Sequence, residues 1–139
     1  MTQNDQIQIC RWAECDDDGG LIVPGGPRKI QMQKSDGTGE PLLKLGVFGA
    51  DVIRFGAGEG VRNHSHPGSH MLFVIKGIGI VEYCGIEHQL QPGFCYLIPP
   101  STDHAIRAGS ELVLLAIGDD HRPLASVERM ALYQPTEAG

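Results

Sequence analysis

Three histidines lie within seven residues of one another, in the segment GEGVRNHSHPGSH (58–70). Neutral imidazole nitrogens are common ligands of transition metals, so this cluster predicts a metal site at His64, His66 and His70. Alternate residues of a strand share a face, which puts His64 and His66 on one side about 7 Å apart. A Pro-Gly-Ser turn follows and can bring His70 back beside them. A pH-responsive or accidental cluster is the alternative interpretation.

Short apolar segments between glycines and prolines must position these histidines. The chain has 139 residues with 19 Gly and 9 Pro, and the intervening segments are too short for most helices but long enough for strands. We therefore predict an all-β protein, a sandwich or barrel. The predicted strands cover residues 42–48, 50–55, 70–77, 79–83, 87–90, 94–99, 104–108 and 111–118.

The two ends of the chain are predicted to be less regular. The first forty residues have no sustained period and are expected to form loops with one or two short strands. The tail SVERMALY (126–133) can form two helical turns, with Ser126 as the cap.

The spacing of the histidines and nearby glycines resembles the first motif of the cupin superfamily. That motif reads G, five residues, HxH, three or four residues, E, six residues, G. Its positions are occupied here by Gly58, His64, His66, His70 and Gly77. Every spacing fits, and His70 stands in place of the usual glutamate.

A second segment resembles the second cupin motif, which reads G, five residues, P, one residue, G, two residues, H, three residues, N. Gly93, Pro99 and His104 keep this frame, whereas Ser101 replaces the glycine and Ala108 the asparagine. Through this resemblance His104 becomes the fourth candidate ligand.

The resemblance implies a single cupin domain over residues 1–139, with its barrel core at about 42–118. The implied fold is a small β-barrel of the jelly-roll type. The resemblance also implies that His64, His66, His70 and His104 converge on one divalent ion per chain. Cupin chains often pair through edge strands, which would cover edges that otherwise invite aggregation, so a homodimer is expected.

An imidazole in place of the carboxylate changes the charge of such a site. Three imidazoles and a carboxylate leave a divalent ion at net +1, whereas four neutral imidazoles leave it at +2. The divalent state is then harder to oxidise, a water on the ion is more acidic, and anionic oxygens bind better. Four nitrogen donors admit Fe, Mn, Zn, Ni or Cu. An octahedral ion would keep open positions, whereas a tetrahedral one would be closed and structural.

The resemblance leaves several functions open. The first is a non-haem dioxygenase, or another oxidative enzyme, that uses Fe(II) or Mn(II) on a small oxygenated molecule. The second is a zinc-type cyclase or isomerase similar to aromatic polyketide cyclases, which the charge argument favours. A non-catalytic module that binds a small ligand is a third. A metal-free sugar epimerase is disfavoured by the complete histidine set.

The catalytic groups beyond the ion are not identified by the motifs. With no carboxylate ligand, proton transfer would fall to a water on the ion, the substrate or a nearby side chain. Asn63 adjoins the first ligand and can donate a hydrogen bond. Arg54 and Arg107 can hold an anionic substrate in two hydrogen bonds, although a surface charge is their simpler interpretation. His88 and His121 match neither motif and are interpreted as surface histidines.

Composition limits the partners. The net charge of −6 disfavours binding to nucleic acid or anionic membranes. The N-terminus is polar, and no segment approaches the roughly 20 apolar residues of a membrane span. We therefore expect a cytoplasmic protein whose partner is a small-molecule substrate.

Overall fold

The computed structural model describes residues 7–23, 30–120 and 122–132, and these residues form thirteen strands and no helix. The strands are β1 (Glu14–Cys15), β2 (Leu21–Ile22), β3 (Ile30–Gln31), β4 (Thr38–Leu45), β5 (Phe48–Phe55), β6 (Gly60–Ser65), β7 (His70–Lys76), β8 (Gly79–Tyr83), β9 (Ile86–Leu90), β10 (Cys95–Ile98), β11 (His104–Ala108), β12 (Leu112–Gly118) and β13 (Ala131–Leu132). Within the described ranges, no segment forms a helix with the length and hydrophobicity that a membrane crossing requires.

Most strands belong to two antiparallel sheets. The first sheet has the order β10-β7-β12-β5-β4-β3, and the second has the order β13-β6-β11-β8-β9. β1 and β2 form a separate ribbon. Buried apolar side chains from both large sheets make one cluster, so the sheets pack face to face. The predicted all-β, jelly-roll fold class is confirmed.

The centre of the first sheet is β12, which pairs with β5 on one side and β7 on the other. Leu112, Val113 and Leu114 of this strand are completely buried. Burying one such side chain stabilises the fold by about 1.5–3 kcal/mol. The strand therefore gives β7, which begins at His70, a rigid apolar neighbour.

The pairing of the strands determines which side chains meet inside the sandwich, because residues opposite each other share a face of the sheet. Across the first sheet, Ile98, His70 and Gly118 form one row. The adjacent row consists of Tyr96, Leu72, Ala116 and Asp51. His70, Leu72 and Tyr96 face the second sheet and line an internal cavity.

Most of the predicted strands are confirmed. Those predicted at 70–77, 79–83, 87–90, 94–99, 104–108 and 111–118 correspond to β7 through β12, within one residue at each end. The segment 50–55 lies inside β5. The bounds 42–48 are wrong, because β4 starts at Thr38 and the chain reverses at Gly46, whose φ of +60° suits glycine. The first forty residues contain the short strands β1 to β3.

Strand β6 was not among the predicted strands, although His64 and His66 were expected to lie in extended chain. Its sequence, GVRNHS, has one apolar side chain, Val61. The inward position that would normally carry a second hydrophobic residue carries His64, which is buried. The alternation of apolar residues that identifies a strand is therefore absent here.

The helix predicted for 126–133 is not formed in its described part, which ends at residue 132. Ser126 accepts hydrogen bonds from the amides of Glu128 and Arg129, so it caps a single turn. The chain then extends, and Ala131–Leu132 pairs with β6. Pairing with an open sheet edge outweighs the weak helical propensity of this short segment.

Candidate metal centre

The first two site histidines face each other across neighbouring strands. His64 on β6 is the cross-strand partner of His104, the first residue of β11. Their ring centroids lie 4.2 Å apart, and the side chains are 2% and 4% exposed. The second sheet therefore brings together two histidines that are forty residues apart in the sequence.

Backbone carbonyls fix the orientation of both rings. Nδ1 of His64 donates to the carbonyl of Arg62 at 2.8 Å, and Nδ1 of His104 donates to that of Thr102 at 2.9 Å. A neutral imidazole that has its proton on Nδ1 keeps a free electron pair on Nε2. Each of these rings is thus held in the tautomer that can bind a cation through Nε2.

The third histidine lies beside this pair, one residue beyond the end of β6. Nε2 of His66 is 3.2 Å from Nε2 of His64, and one ring nitrogen each of His64, His66 and His104 falls within 4.8 Å of the others. Two imidazoles on one ion, with bonds of about 2.0–2.1 Å, would have their nitrogens about 2.9–3.4 Å apart. The 3.2 Å between Nε2 of His64 and Nε2 of His66 fits a shared ion.

The hydrogen bonding of His66 is incomplete within the described structure. Its Nδ1 is buried and has no hydrogen-bond partner there. Nε2 of His66 points at the electron pair of His64 Nε2, and these two nitrogens repel unless a proton or a cation lies between them. One proton can satisfy only a pair of nitrogens, whereas a cation can satisfy all three rings. The donor set therefore fits a metal ion.

The fourth histidine approaches from the opposite sheet. His70 opens β7, is 4% exposed, and stacks on His66 with centroids 4.2 Å apart and the planes 27° from parallel. Its ring lies over Gly118, where an added Cβ would be only 2.5 Å from Cδ2 of His70. The structure thus gathers all four predicted histidines around one cavity, with His70 stacked on His66, one of the three that cluster. Its place as a ligand stays a prediction.

The four histidines line a cavity of about 30 Å³ whose remaining walls are apolar side chains, Tyr96 and Arg129. A volume of this size holds about two water-sized occupants, such as an ion and one ligand oxygen. Because the walls are apolar, any charge inside interacts strongly with its neighbours.

Burial keeps the imidazoles uncharged. Burial first, and then the charge of nearby His104, lower the pKa of His64 from 6.5 to about 3. Burial and then His70 lower the pKa of His66 even further. Burial also lowers the pKa of His104. All three rings are therefore neutral near pH 7, as metal ligands must be.

The other sequence candidates lie away from this cavity. Asn63 is exposed on β6, and Arg107 is exposed on β11. Arg54 lies on the outer side of β5, where it binds the carbonyl of Val23 and pairs with Glu111 at 3.7 Å. None of the three candidates is among the described residues that line the cavity.

The two discounted histidines also stand apart. His88 is exposed on β9. It is the cross-strand partner of buried Val81 and lines a large outer cleft between β9 and β10. His121 lies outside the described residues.

One pair of charged residues at the site was missed by sequence reasoning. Arg129 and Asp51 form an ion pair of 2.7 Å, and their side chains are 2% and 4% exposed. Arg129 also lines the histidine cavity. An aspartate inside the apolar strand segment ADVIRF (50–55) was a usable signal, because a buried carboxylate requires a partner. The sequence around Arg129 did not indicate burial, because this residue lies in the segment 126–133 that was predicted to form a short helix.

Two packed antiparallel sheets with a buried histidine cluster between them define a jelly-roll protein with a possible metal site. Residues 51–118 match the family model described as "Cupin domain". The match covers just under half of the chain, and the two packed sheets have the cupin fold. No curated protein sequence matches the chain significantly.

Solved structures support the same fold. An RmlC-like cupin from Shewanella frigidimarina is 22% identical with a TM-score of 0.62, and the match covers 70% of this chain and 88% of that one. KdgF from Halomonas sp. is 20% identical with a TM-score of 0.59, covering 63% and 81%. Salicylate 1,2-dioxygenase from Pseudoaminobacter salicylatoxidans is 19% identical with a TM-score of 0.55. The match covers 60% of this chain but only 25% of that enzyme.

Gly118→Ala is predicted to displace His70 without removing it. The new methyl group would lie 2.5 Å from both Cδ2 of His70 and the carbonyl oxygen of Ser69. Such overpacking lowers the free energy of unfolding by about 1–3 kcal/mol, measured by urea denaturation. Gly109→Ala is the control, because its methyl meets no atom closer than 3.3 Å. Equal stability of the two variants would contradict the close packing of His70 on Gly118.

The metal-free protein is predicted to lose stability as the pH falls below about 6.5. His64 binds its proton near pH 6.5 when unfolded but only near pH 3 when folded, so the unfolded state is favoured progressively between these values. Each such histidine contributes a slope of about 1.4 kcal/mol per pH unit. Urea titrations in chelator at pH 7.5, 6 and 5 measure the slope. His64→Gln should reduce it, whereas a change at exposed His88 should not, and equal slopes for both would contradict this account.

Proposed function

We propose that this protein is a mononuclear metal-dependent enzyme that acts on a small oxygenated molecule. The observation that carries the proposal is the cluster of buried, uncharged imidazoles, two of which have their Nε2 atoms 3.2 Å apart. His64, His66 and His104 would hold the ion, and His70 would complete the set. The activity we favour is that of a non-haem dioxygenase with Fe(II) or Mn(II).

When bound, such an ion would supply a site where an oxygen of the substrate and O2 can meet, or a positive charge that stabilises an enolate. The protein's own contribution is to hold the imidazoles. The carbonyls of Arg62 and Thr102 keep Nε2 of His64 and His104 directed to the centre. The largely apolar walls lower the polarity around the imidazoles, which strengthens each charge interaction inside.

The substrate needs more room than the histidine cavity provides. A cleft of about 730 Å³ lies beside it, between β8, β9 and β10, within the usual range for small-molecule sites. Tyr96 lines both the cleft and the histidine cavity, so the two spaces adjoin at this residue. The cleft carries Tyr83, Phe94 and Leu97, which suit a substrate with a flat apolar body.

One solved structure that shares this fold is a dioxygenase. The salicylate 1,2-dioxygenase has been solved with gentisate, and it shares the fold with this chain. The identity is 19% and the match covers a quarter of that enzyme, so this likeness shows the fold, and the shared activity is our proposal.

A second candidate is a cyclase or isomerase that uses zinc. The observation in its favour is that the cluster holds three neutral histidines and no carboxylate, which leaves the full +2 charge on the ion. Such a centre stabilises developing negative charge without a change of oxidation state. The predicted homodimer and cytoplasmic location remain predictions beside either activity.

The metal site is tested by loading and by single substitutions. We expect one divalent ion per chain by elemental analysis after reconstitution. Changing His64, His66 or His104 to alanine should weaken binding of Co(II) more than about 100-fold, beyond the effect of losing an outer partner. His88→Ala is the matched control and should bind normally. Sub-stoichiometric metal in the native and the reconstituted protein would remove the enzyme proposal.

The dependence of turnover on O2 distinguishes an oxygenase from a cyclase. The protein loaded with Fe(II) or Mn(II) should consume O2 with β-diketone or catechol-like compounds and should stop under nitrogen, because an oxygenase incorporates O2. Polyketide-like compounds and zinc-loaded protein provide the parallel arm. Turnover that persists without O2 would refute the oxygenase and support the cyclase. Metal binding without turnover in either arm would leave a ligand-binding module.

A further inference from the structure

Arg129 is a charged side chain enclosed in the wall of the histidine cavity. It is 2% exposed and lines this cavity together with His64, His66 and Tyr96. It precedes β13, outside the segment that matches the cupin model. A guanidinium stays protonated at any ordinary pH, so the cavity contains a permanent positive charge.

Only part of this guanidinium is engaged by the protein. Nη1 donates to Oδ2 of Asp51 at 2.7 Å and to the carbonyl of Arg122 at 2.8 Å. Nε is buried and has no hydrogen-bond partner among the described residues. A buried N–H of a charged group that lacks an acceptor is costly, and in native proteins it is normally paired with water or a ligand.

The charges of the site favour an anion as that ligand. The Arg129 and Asp51 charges cancel in sum, and the imidazoles are neutral. A divalent ion on the histidines would therefore leave a net charge of +2 inside apolar walls. An oxyanion reduces this charge, and it can accept a hydrogen bond from Nε, which a cation or an apolar group cannot.

The size of the cavity limits which part of such an anion can enter it. About 30 Å³ has room for an ion and about one oxygen of a carboxylate beside Arg129. The body of an organic anion must then point towards Tyr96 and the larger cleft, whose walls are largely apolar. A planar carboxylic acid with an apolar body has this shape.

We propose that Arg129 is a specificity-determining residue that selects carboxylate substrates, with Nε–H donating to a carboxylate oxygen at the metal cavity. The inference rests on the proposed metal-dependent function and narrows its substrate class. Asp51 is the positioning residue, because its ion pair holds the guanidinium in the wall.

The test compares benzoate with its uncharged analogue benzamide. Binding is measured by calorimetry and, in the Co(II)-loaded protein, by the visible absorption of the ion. We expect benzoate to bind at least about tenfold more tightly than benzamide, since a hydrogen bond to a charged partner is worth at least that factor. Equal affinities in the unmodified protein would overturn the inference.

Arg129→Lys is the informative variant, because lysine keeps the charge and a donor for Asp51 but has no Nε–H. It should lose most of the preference for benzoate. Arg122→Lys, in the same segment with its side chain about one-third exposed, is the control and should keep it. If Arg129→Lys does not fold, the double variant Asp51→Asn/Arg129→Met removes the charges as a pair and should equally lose the preference. If the preference for benzoate survives the loss of Arg129, this residue has only a structural role, and the inference is overturned.

Metal content is measured in every sample, so that the two proposals can fail separately. An Arg129-dependent preference for benzoate in protein that never binds metal would refute the proposed function and support the anion site. Full metal loading without such a preference would refute the anion site alone.

Discussion

Four imidazole rings from two different sheets are buried in an apolar interior, and this burial constrains the rest of the molecule. Each ring brings two polar nitrogens into surroundings where an unpaired polar atom is costly. His64 and His104 satisfy one nitrogen each through a backbone carbonyl, whereas Nδ1 of His66 has no such partner among the described residues. One ring nitrogen each of His64, His66 and His104 converges with the others. An ion there would hold β6 and β11 of one sheet together, and His70 on β7 of the other sheet stacks on His66 beside it.

The sequence was most informative where a side chain type is rare and its spacing is fixed. All four histidines could be predicted, because two motifs with exact spacing identify them. The strands β7 to β12 could be predicted, since glycines and prolines bound their apolar runs. β6 could not, because its inward position carries His64 instead of a hydrophobic residue, so the feature that makes the strand functional removes its apolar alternation.

Other features depended on tertiary contacts that local sequence does not contain. The tail after residue 126 has a helical pattern, yet Ala131 and Leu132 pair with Ser65 and His64 at the edge of β6. That edge exists only once the sheet has formed. The sequence could not show whether Arg54 and Arg107 face the interior, where they could bind an anion, or the surface. Which face of its strand each occupies follows from register, and a shift of one residue would reverse it.

The ion pair of Arg129 and Asp51 is weak evidence for stability, because removing two charges from water costs about as much as their attraction returns. The burial of this ion pair beside the histidine cavity therefore requires another explanation. Asp51 stands in the row that runs through Ala116 and Leu72 to Tyr96, the residue that lines both the histidine cavity and the cleft. In the described part of the tail that carries Arg129, Leu132 lies opposite His64. The same segment thus pairs with the sheet edge beside His64 and places a cation in the cavity wall. An apolar side chain could have filled this wall at lower cost in desolvation, so the retained charge is better explained by what enters the cavity than by what holds the barrel together.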